Sequence, residues 1–454
     1  MTHSRDYSFG VDALARVEGE GGFRIVVRDG AVSEVALDIF EPPRFFEALL
    51  VGRSYLEAPD ITARICGICP VAYQMSSCAA MESAFDVAPS RQVVDLRRLL
   101  YCGEWLQSHA LHVYLLHAPD FFGYEDAVQL AAHDKPVVER GLALKKTGNK
   151  IMETVGGRAV HPVNVRVGGF YKAPSPSEVS ALAEPLRRAL DASLATVEWV
   201  ARFDFPDVLG DYLFVALRDE GRYPIEGGRV VSSDGLDCTP AEFADAVVEE
   251  HVARSTALHA RLFGQKPYLT GPLARYALNA DALTPLAAEA AHRAQLEVPC
   301  RNPFRSIVVR AVEMVFACEE ALRLVESYDP PEPPMADMPD LDGNGAGATP
   351  GAKRAGAEEP GIERVGAGAT EAPRGVLLHE YKIGADGLIR NARIVPPTSQ
   401  NQLTIEADLR RVAEAGLELA PEELTKRAEV AVRNHDPCIS CAAHFLDLTF
   451  EKAP

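Results

Sequence analysis

Two short segments carry sulfur in a form suited to chemistry: RICGICP, with Cys66 and Cys69, and DPCISCAAH, with Cys438 and Cys441. A C-x-x-C spacing sets two thiols about one turn apart, close enough to share a metal ion. Two such pairs supply four soft donors, which suit zinc, a single iron or a centre containing nickel. Taken alone, four thiols read most simply as a structural zinc site. Zinc ribbons, however, usually bring their pairs together within about 12–20 residues, whereas most of the chain lies between these two. Only a completed fold can join them, so the spacing points to a centre assembled deep inside the protein. Pro70, directly after Cys69, suits the first position of a helix. That would put the thiol at the positive end of a helix dipole, where a thiolate is favoured. Asp436-Pro437 leads into Cys438 in the same way. Cys78, Cys102, Cys238, Cys300 and Cys318 read as isolated small apolar residues.

Long helices must position these loops. In SRQVVDLRRLLYCGEWLQSHALHVYLLHAPD, apolar residues recur every three or four positions, with Ser90 as N-cap and Pro119 ending the run. Amphipathic stretches over 125–155, 176–203, 239–264, 280–298, 302–326 and 403–433 predict further helices. Strands are expected at two hairpins, one turning at Asp29-Gly30 and one near Asp386-Gly387. The expected fold is therefore mainly α: a bundle of long helices with small antiparallel β-sheets at its periphery. The 454 residues are read as a single domain. Pro, Gly and Ala dominate residues 329–370, a composition poor in apolar surface to bury, so that segment is expected to be a flexible insertion.

A net charge of −19 with no basic run argues against nucleic acid as a partner. The N-terminus MTHSRDYSFG has no apolar secretory region, and no stretch of 18 apolar residues predicts a membrane span. Nine cysteines, an odd number in a long chain, fit a reducing compartment, and the cytoplasm is expected.

The two cysteine segments together resemble the signature motifs of nickel–iron hydrogenase large subunits. Five further stretches stand in that family's order. ARVEGEGGF resembles its N-terminal motif, and PPRFFEALLVGRSYLEAPDITARICGIC resembles its approach to the first pair. GGRAVHPVNVRVGG is similar to its central motif, and EAPRG with IVPPTSQN is similar to the segments around its diatomic ligands. The resemblance covers most of the chain. It implies that Cys66, Cys69, Cys438 and Cys441 bind Ni, with Cys69 and Cys441 bridging to an Fe that carries CO and cyanide. The implied reaction is reversible heterolytic cleavage of H2, the metals serving as Lewis acids and the terminal thiolate of Cys438 as first base. Glu18 matches the residue that takes the proton onward, with Glu20 as the fallback. Arg374 matches the arginine above the open metal position, and Asp436 would hold it there or cap the loop. Glu47 and His444 match ligands of a Mg ion, and the family's precursors are cut after the residue matching His444, which would remove residues 445–454.

Three positions depart from the family's usual pattern: Tyr73 in place of a His, Ser108-His109 in place of Asp-His, and Pro397 in place of a hydroxyl residue. Hydroxyl bonds to a diatomic ligand would then come from Thr398, Ser399 or the backbone. These departures resemble the cytoplasmic branch coupled to NAD(P). His109, His112 and His117 share one helix, but without a completing ligand in the sequence they read as core or interface histidines. No cysteine set is left for an iron–sulfur cluster, and no GxGxxG fingerprint follows a strand. Partners are therefore expected: an iron–sulfur small subunit, diaphorase subunits binding flavin and NAD(P), a maturation endopeptidase and nickel-insertion proteins. Rival readings are an H2-sensing regulatory hydrogenase, a zinc-stapled scaffold without activity, and the quinone-site subunit of respiratory NADH dehydrogenase, which lacks the four cysteines.

Overall fold

Ser90 caps the first long helix, its Oγ accepting the Val93 N–H at 3.3 Å, and the helix runs Arg91–Leu111. The computed structural model describes residues 6–339, 341 and 363–443. Beyond Leu111 the helical path continues through a π-turn at His112–His117 into a short helix, Ala118–Phe121. Pro119 lies in the first turn of that short helix rather than ending the run, because a first-turn residue needs no N–H partner.

The Arg91–Leu111 helix packs against Lys135–Gly156 and Ser306–Glu326, and the last of these packs also against Ala183–Val200. Two glycines let the first pair approach closely. A Cβ on Gly148 would sit 2.5 Å from the Gly103 carbonyl oxygen. The enclosed core includes Trp105, Ile151, Val308 and Val312, all fully buried.

Small antiparallel sheets of two or three strands surround this bundle, in agreement with the expected fold class. At the N-terminus, Tyr7–Val11, Gly21–Arg28 and Ala31–Ile39 pair in sequence order. Asp29 and Gly30 both adopt positive φ (50° and 76°), which suits a two-residue hairpin turn. The strands Arg364–Ala372, Gly375–Ile383 and Ile389–Val395 form another three-stranded sheet.

Several expected elements differ. Residues 239–264 are not one helix: Thr239 caps a short helix, Pro240–Ala246, and the chain then pairs Val247–Glu250 with His259–Leu262. The β-branched pair Val247-Val248 opens that strand, which suits extended backbone. The 403–433 stretch divides into Pro397–Ala415 and Pro421–Asn434, with Gly416 ending one helix and Pro421 starting the next. Within 280–298 the α-helix covers Pro285–Arg293.

The flexible insertion expected at 329–370 is also corrected at its C-terminal end. Residues 364–370 belong to a strand, Arg364–Ala372, that packs against the Pro70–Phe85 helix and is buried from Gly366 onward. A Cβ on Gly366 would lie 2.1 Å from the Ala80 carbonyl oxygen, and one on Gly368 would lie 2.4 Å from the Ala80 nitrogen. Small residues there allow backbone-to-backbone contact rather than disorder. This contact sets the strand leading to Arg374 against the helix that begins after Cys69.

Candidate metal centre

Cys66 ends a short helical turn, and Cys69 stands as N-cap of the Pro70–Phe85 helix, as its Pro70 predicts. Cys438 precedes the one-turn helix Ile439–Ala442, which contains Cys441. The fold brings the four sulfurs within 4.8 Å of one another, all buried. Cys66 Sγ lies 3.4 Å from Cys438 Sγ, and Cys69 Sγ lies 3.7 Å from Cys441 Sγ. Among the described residues this is the one cluster of three or more His, Cys, Asp or Glu arranged to hold a metal. Hydrogen bonds with Cys438, Cys441 and Cys69 draw the Cys66 thiol well below its ordinary range, whereas burial and the contacts with the other three thiols push Cys438 well above it. Four thiols this close cannot all ionise by themselves, and a soft cation relieves that repulsion. The donor set therefore fits a nickel-containing centre.

The two cysteine loops are tied together from both sides. Arg44 Nη2 donates to the Ile65 carbonyl at 2.7 Å and also to the Ser440 carbonyl. Gln107 Nε2 donates to the Ile68 carbonyl at 2.6 Å. The GGRAVHP loop lies against the first pair, with His161 Nδ1 2.7 Å from the Ala63 carbonyl. Glu104 is fully buried and accepts the N–H groups of Val71 and Ala72 at 2.6 and 3.1 Å, fixing the helix start after Cys69. Burial pushes its carboxyl well up, and those two N–H bonds act against the rise. Sequence reading missed Arg44, Gln107 and Glu104. A carboxylate in the otherwise apolar stretch around Trp105 was the available signal for Glu104.

Glu18 reaches the cluster from the N-terminal segment. Its main chain bridges to that of Cys438, with the Ile439 N–H donating to the Glu18 carbonyl at 2.9 Å. Glu18 Oε2 lies 3.1 Å from Cys438 Sγ and accepts the Ser440 N–H at 3.0 Å. Glu20 is exposed and contributes its backbone N–H to Glu41.

Arg374 sits at the tip of the hairpin in which Ala372 pairs with Gly375. Its Nε donates to the Asp436 carbonyl at 2.8 Å and its Nη2 to Asp436 Oδ1 at 3.0 Å, while Ser108 Oγ lies 3.5 Å from Nη1. Burial opposes the Arg374 charge, but Asp436 and the thiols of Cys438, Cys69 and Cys66 hold it firmly protonated. Thr398 Oγ1 accepts the Cys438 N–H at 3.0 Å, and Ser399 Oγ is buried without a hydrogen-bond partner among the described residues. Tyr73 is buried beside Cys441 and Cys69; burial, then their charge, raises its hydroxyl well above the usual tyrosine range.

Glu47 stands apart from the sulfurs on the short helix Phe46–Leu50, and its Oε1 accepts the Ile394 N–H at 2.6 Å. His444 and residues 445–454 lie outside the described residues. His109, His112 and His117 are all buried in the core.

A family model described as nickel-dependent hydrogenase matches residues 44–140 and 253–444. The alpha chain of sulfhydrogenase 1 from Pyrococcus furiosus is 34% identical over 442 residues, which span 96% of this chain and 98% of that protein. The alpha chain of sulfhydrogenase 2 from the same organism is also 34% identical over 442 residues, 96% of this chain and 99% of that one. A chain of an NAD+-reducing [NiFe]-hydrogenase, solved in the H2-reduced state, superposes with a TM-score of 0.81 at 28% identity, covering 96% of this chain and 99% of that chain. The nickel–iron–selenium hydrogenase of Desulfovibrio vulgaris Hildenborough shares the fold at 22% identity, with a TM-score of 0.73 over 97% of this chain and 100% of that one.

Proposed function

This chain belongs to the nickel-dependent hydrogenase family, and from that membership we propose how its residues carry the reversible cleavage of H2 into protons and electrons. The chain is the catalytic large subunit of a hydrogenase. The observation that carries the residue assignment is the set of four buried thiols within 4.8 Å, with Glu18 at 3.1 Å from one of them.

Cys66, Cys69, Cys438 and Cys441 would hold nickel, with Cys69 and Cys441 shared with an iron bearing CO and cyanide. When bound, that centre supplies the Lewis acidity and redox capacity for splitting H2 heterolytically. The chain's own residues handle the proton. The Cys438 sulfur takes it first, because thiolate basicity is tunable about neutrality. Glu18 Oε2 is within hydrogen-bond reach of that sulfur and accepts the proton next. The Ser440 N–H keeps the carboxylate aimed at the sulfur during the exchange. Arg374, held by Asp436 through two hydrogen bonds, presents a permanent positive charge and its remaining N–H groups to the cluster. Thr398 Oγ1 accepts the Cys438 N–H and keeps its own O–H to donate, and the Ser399 hydroxyl has no partner among the described residues, so either hydroxyl is able to meet a cyanide.

Glu47 and His444 would serve as ligands of a Mg ion that braces the C-terminal segment, which is trimmed after His444 by an endopeptidase once nickel-insertion proteins have acted. Electrons pass to an iron–sulfur small subunit, and from there to diaphorase subunits carrying flavin and NAD(P). The likeness to an NAD+-reducing enzyme supports that branch. Among the described residues no helix is long and apolar enough to cross a membrane, and we place the complex in the cytoplasm.

The test is an infrared spectrum of the protein purified with its natural partners. One CO band and two cyanide bands that respond to H2 are expected. Their absence from mature protein that carries zinc would overturn the proposal.

A further inference from the structure

Arg310 lies on the Ser306–Glu326 helix, 1% exposed, and belongs to none of the motifs described above. Its Nη1 lies 3.4 Å from Asp436 Oδ2, its Nη2 donates to the His435 carbonyl at 3.3 Å, and His109 Nδ1 is 3.5 Å away. Its Nε is buried and has no partner among the described residues. Asp436 thus gives one carboxylate oxygen to Arg374 and faces Arg310 with the other. Two buried guanidinium groups share one carboxylate.

Neighbouring Arg275 shows what a structural buried arginine looks like in this protein. It meets Glu313 with two bonds of 2.8 Å, Glu371 at 2.9 Å, and two carbonyls besides. Arg310 has contacts of 3.3–3.5 Å instead. A buried charge held so loosely adds little to stability, since desolvation cancels most of what the contacts return. Burial draws its pKa down to about 10, so it still carries its charge at neutral pH. On the other flank of Arg374 stands Ser108, a neutral hydroxyl at 3.5 Å. No second carboxylate is hydrogen-bonded to Arg374 among the described residues.

We propose that Arg310 is a positioning residue for hydrogen cleavage: by facing the second oxygen of Asp436 with its charge, it competes with Arg374 for that carboxylate and keeps the charge on Arg374 only partly neutralised above the thiol cluster. The inference rests on the nickel–iron assignment made above and adds a residue to it. Removing Arg310 frees Asp436 to turn or to neutralise Arg374 fully, and either change weakens the field that Arg374 exerts on the site. The effect is electrostatic and passes through Asp436, without contact between Arg310 and the cysteines.

The test uses the holoenzyme together with its iron–sulfur partner, in three variants: Arg310→Met, Arg310→Lys and Arg374→Met. Nickel content, H2 oxidation rate and the positions of the CO and cyanide bands are measured in each. Arg310→Met is expected to keep its nickel, shift its bands in the direction seen for Arg374→Met, and lose about 10²-fold in turnover, the scale of a displaced catalytic group. Arg310→Lys keeps the charge and is expected to return the bands and most of the rate. Arg310→Met bands superimposable on the wild type would overturn the proposal, and so would nickel loss in both Arg310 variants, which would make the residue structural. Wild-type protein without any such bands would instead refute the nickel–iron reading beneath it.

Discussion

Replacing Glu18 with Gln tests the proton route at its first carboxylate. The side chains are nearly isosteric, so the amide oxygen still accepts the Ser440 N–H now bonded at 3.0 Å. That same oxygen position, Oε2, is the one 3.1 Å from Cys438 Sγ, and an amide placed there cannot take up the proton. Structural cost is limited to weakening one hydrogen bond at a half-buried site, about 0.5–1.5 kcal/mol. Loss of a positioned base costs far more in rate, about 10²–10⁴-fold, equivalent to about 3–5 kcal/mol of barrier. The kinetic effect therefore dominates. Exchange of H2 with deuterated water should fall by that factor while nickel content and thermal stability stay close to the wild type. Glu18→Asp retracts the carboxyl by one bond of about 1.5 Å, which opens the gap to the sulfur and should give an intermediate rate. Wild-type exchange in Glu18→Gln, with nickel retained, would refute the route and move the role to another group.

The sulfur cluster and its supports yield three further expectations. Cys66→Ser should lose nickel by more than the about 10–100-fold typical when a residue supporting a metal ligand is removed, read by metal analysis; full nickel occupancy would remove Cys66 from the ligand set. Gly148→Ala forces a methyl toward the Gly103 carbonyl, where 2.5 Å is available, so overpacking should cost about 1–3 kcal/mol and lower the melting temperature. Asp120 joins Arg433 at 2.8 and 2.9 Å to Arg16, two residues before Glu18. Burial works against its charge, but His117 and Arg433 hold its carboxyl well below the usual range. A depressed folded pKa gives stability that is present above the unfolded value of about 3.9 and is lost as pH falls through the folded value. Asp120→Asn should therefore cost about 3–5 kcal/mol at pH 7, and the gap to wild type should narrow below about pH 4. A gap independent of pH would rule out the charge as its source.

Elements governed by local rules were legible in the sequence. The Ser90 cap and the helix starting at Pro70 follow from short-range hydrogen bonding and backbone geometry. Asp29-Gly30 likewise forms its turn through positive φ at two adjacent residues. Tertiary contact overrode composition elsewhere. Gly366 and Gly368 read as disorder because their value lies in what they let approach, the backbone around Ala80 on a helix far away in sequence. The 239–264 stretch has helical spacing but pairs its valine-rich part as a strand with His259–Leu262. At the site, the cysteines stood out by their type and paired spacing, whereas Glu18 was singled out only by the resemblance of its segment to a family motif. Arg310 was not legible, since a buried charge inside a helix looks like a solvent-facing one until the opposing elements are known, and for Glu104 the one signal was its apolar surroundings.

The sulfur cluster also imposes an order in time. Cys66 and Cys438 are 372 positions apart, an interval of roughly 20–75 s at common synthesis rates of about 5–20 residues per second. Throughout it, Cys66 and Cys69 exist as a lone dithiol, able to capture a stray soft metal ion or to oxidise. Arg374 and Asp436 also arrive late, and the main-chain bridge between Glu18 and Cys438 cannot form before both ends of the chain exist. The four-sulfur set is complete only once synthesis has passed Cys441, so the last cysteine segment is the one that closes the proposed centre. Supply of the correct metal at that moment, rather than affinity alone, then decides what the four sulfurs retain.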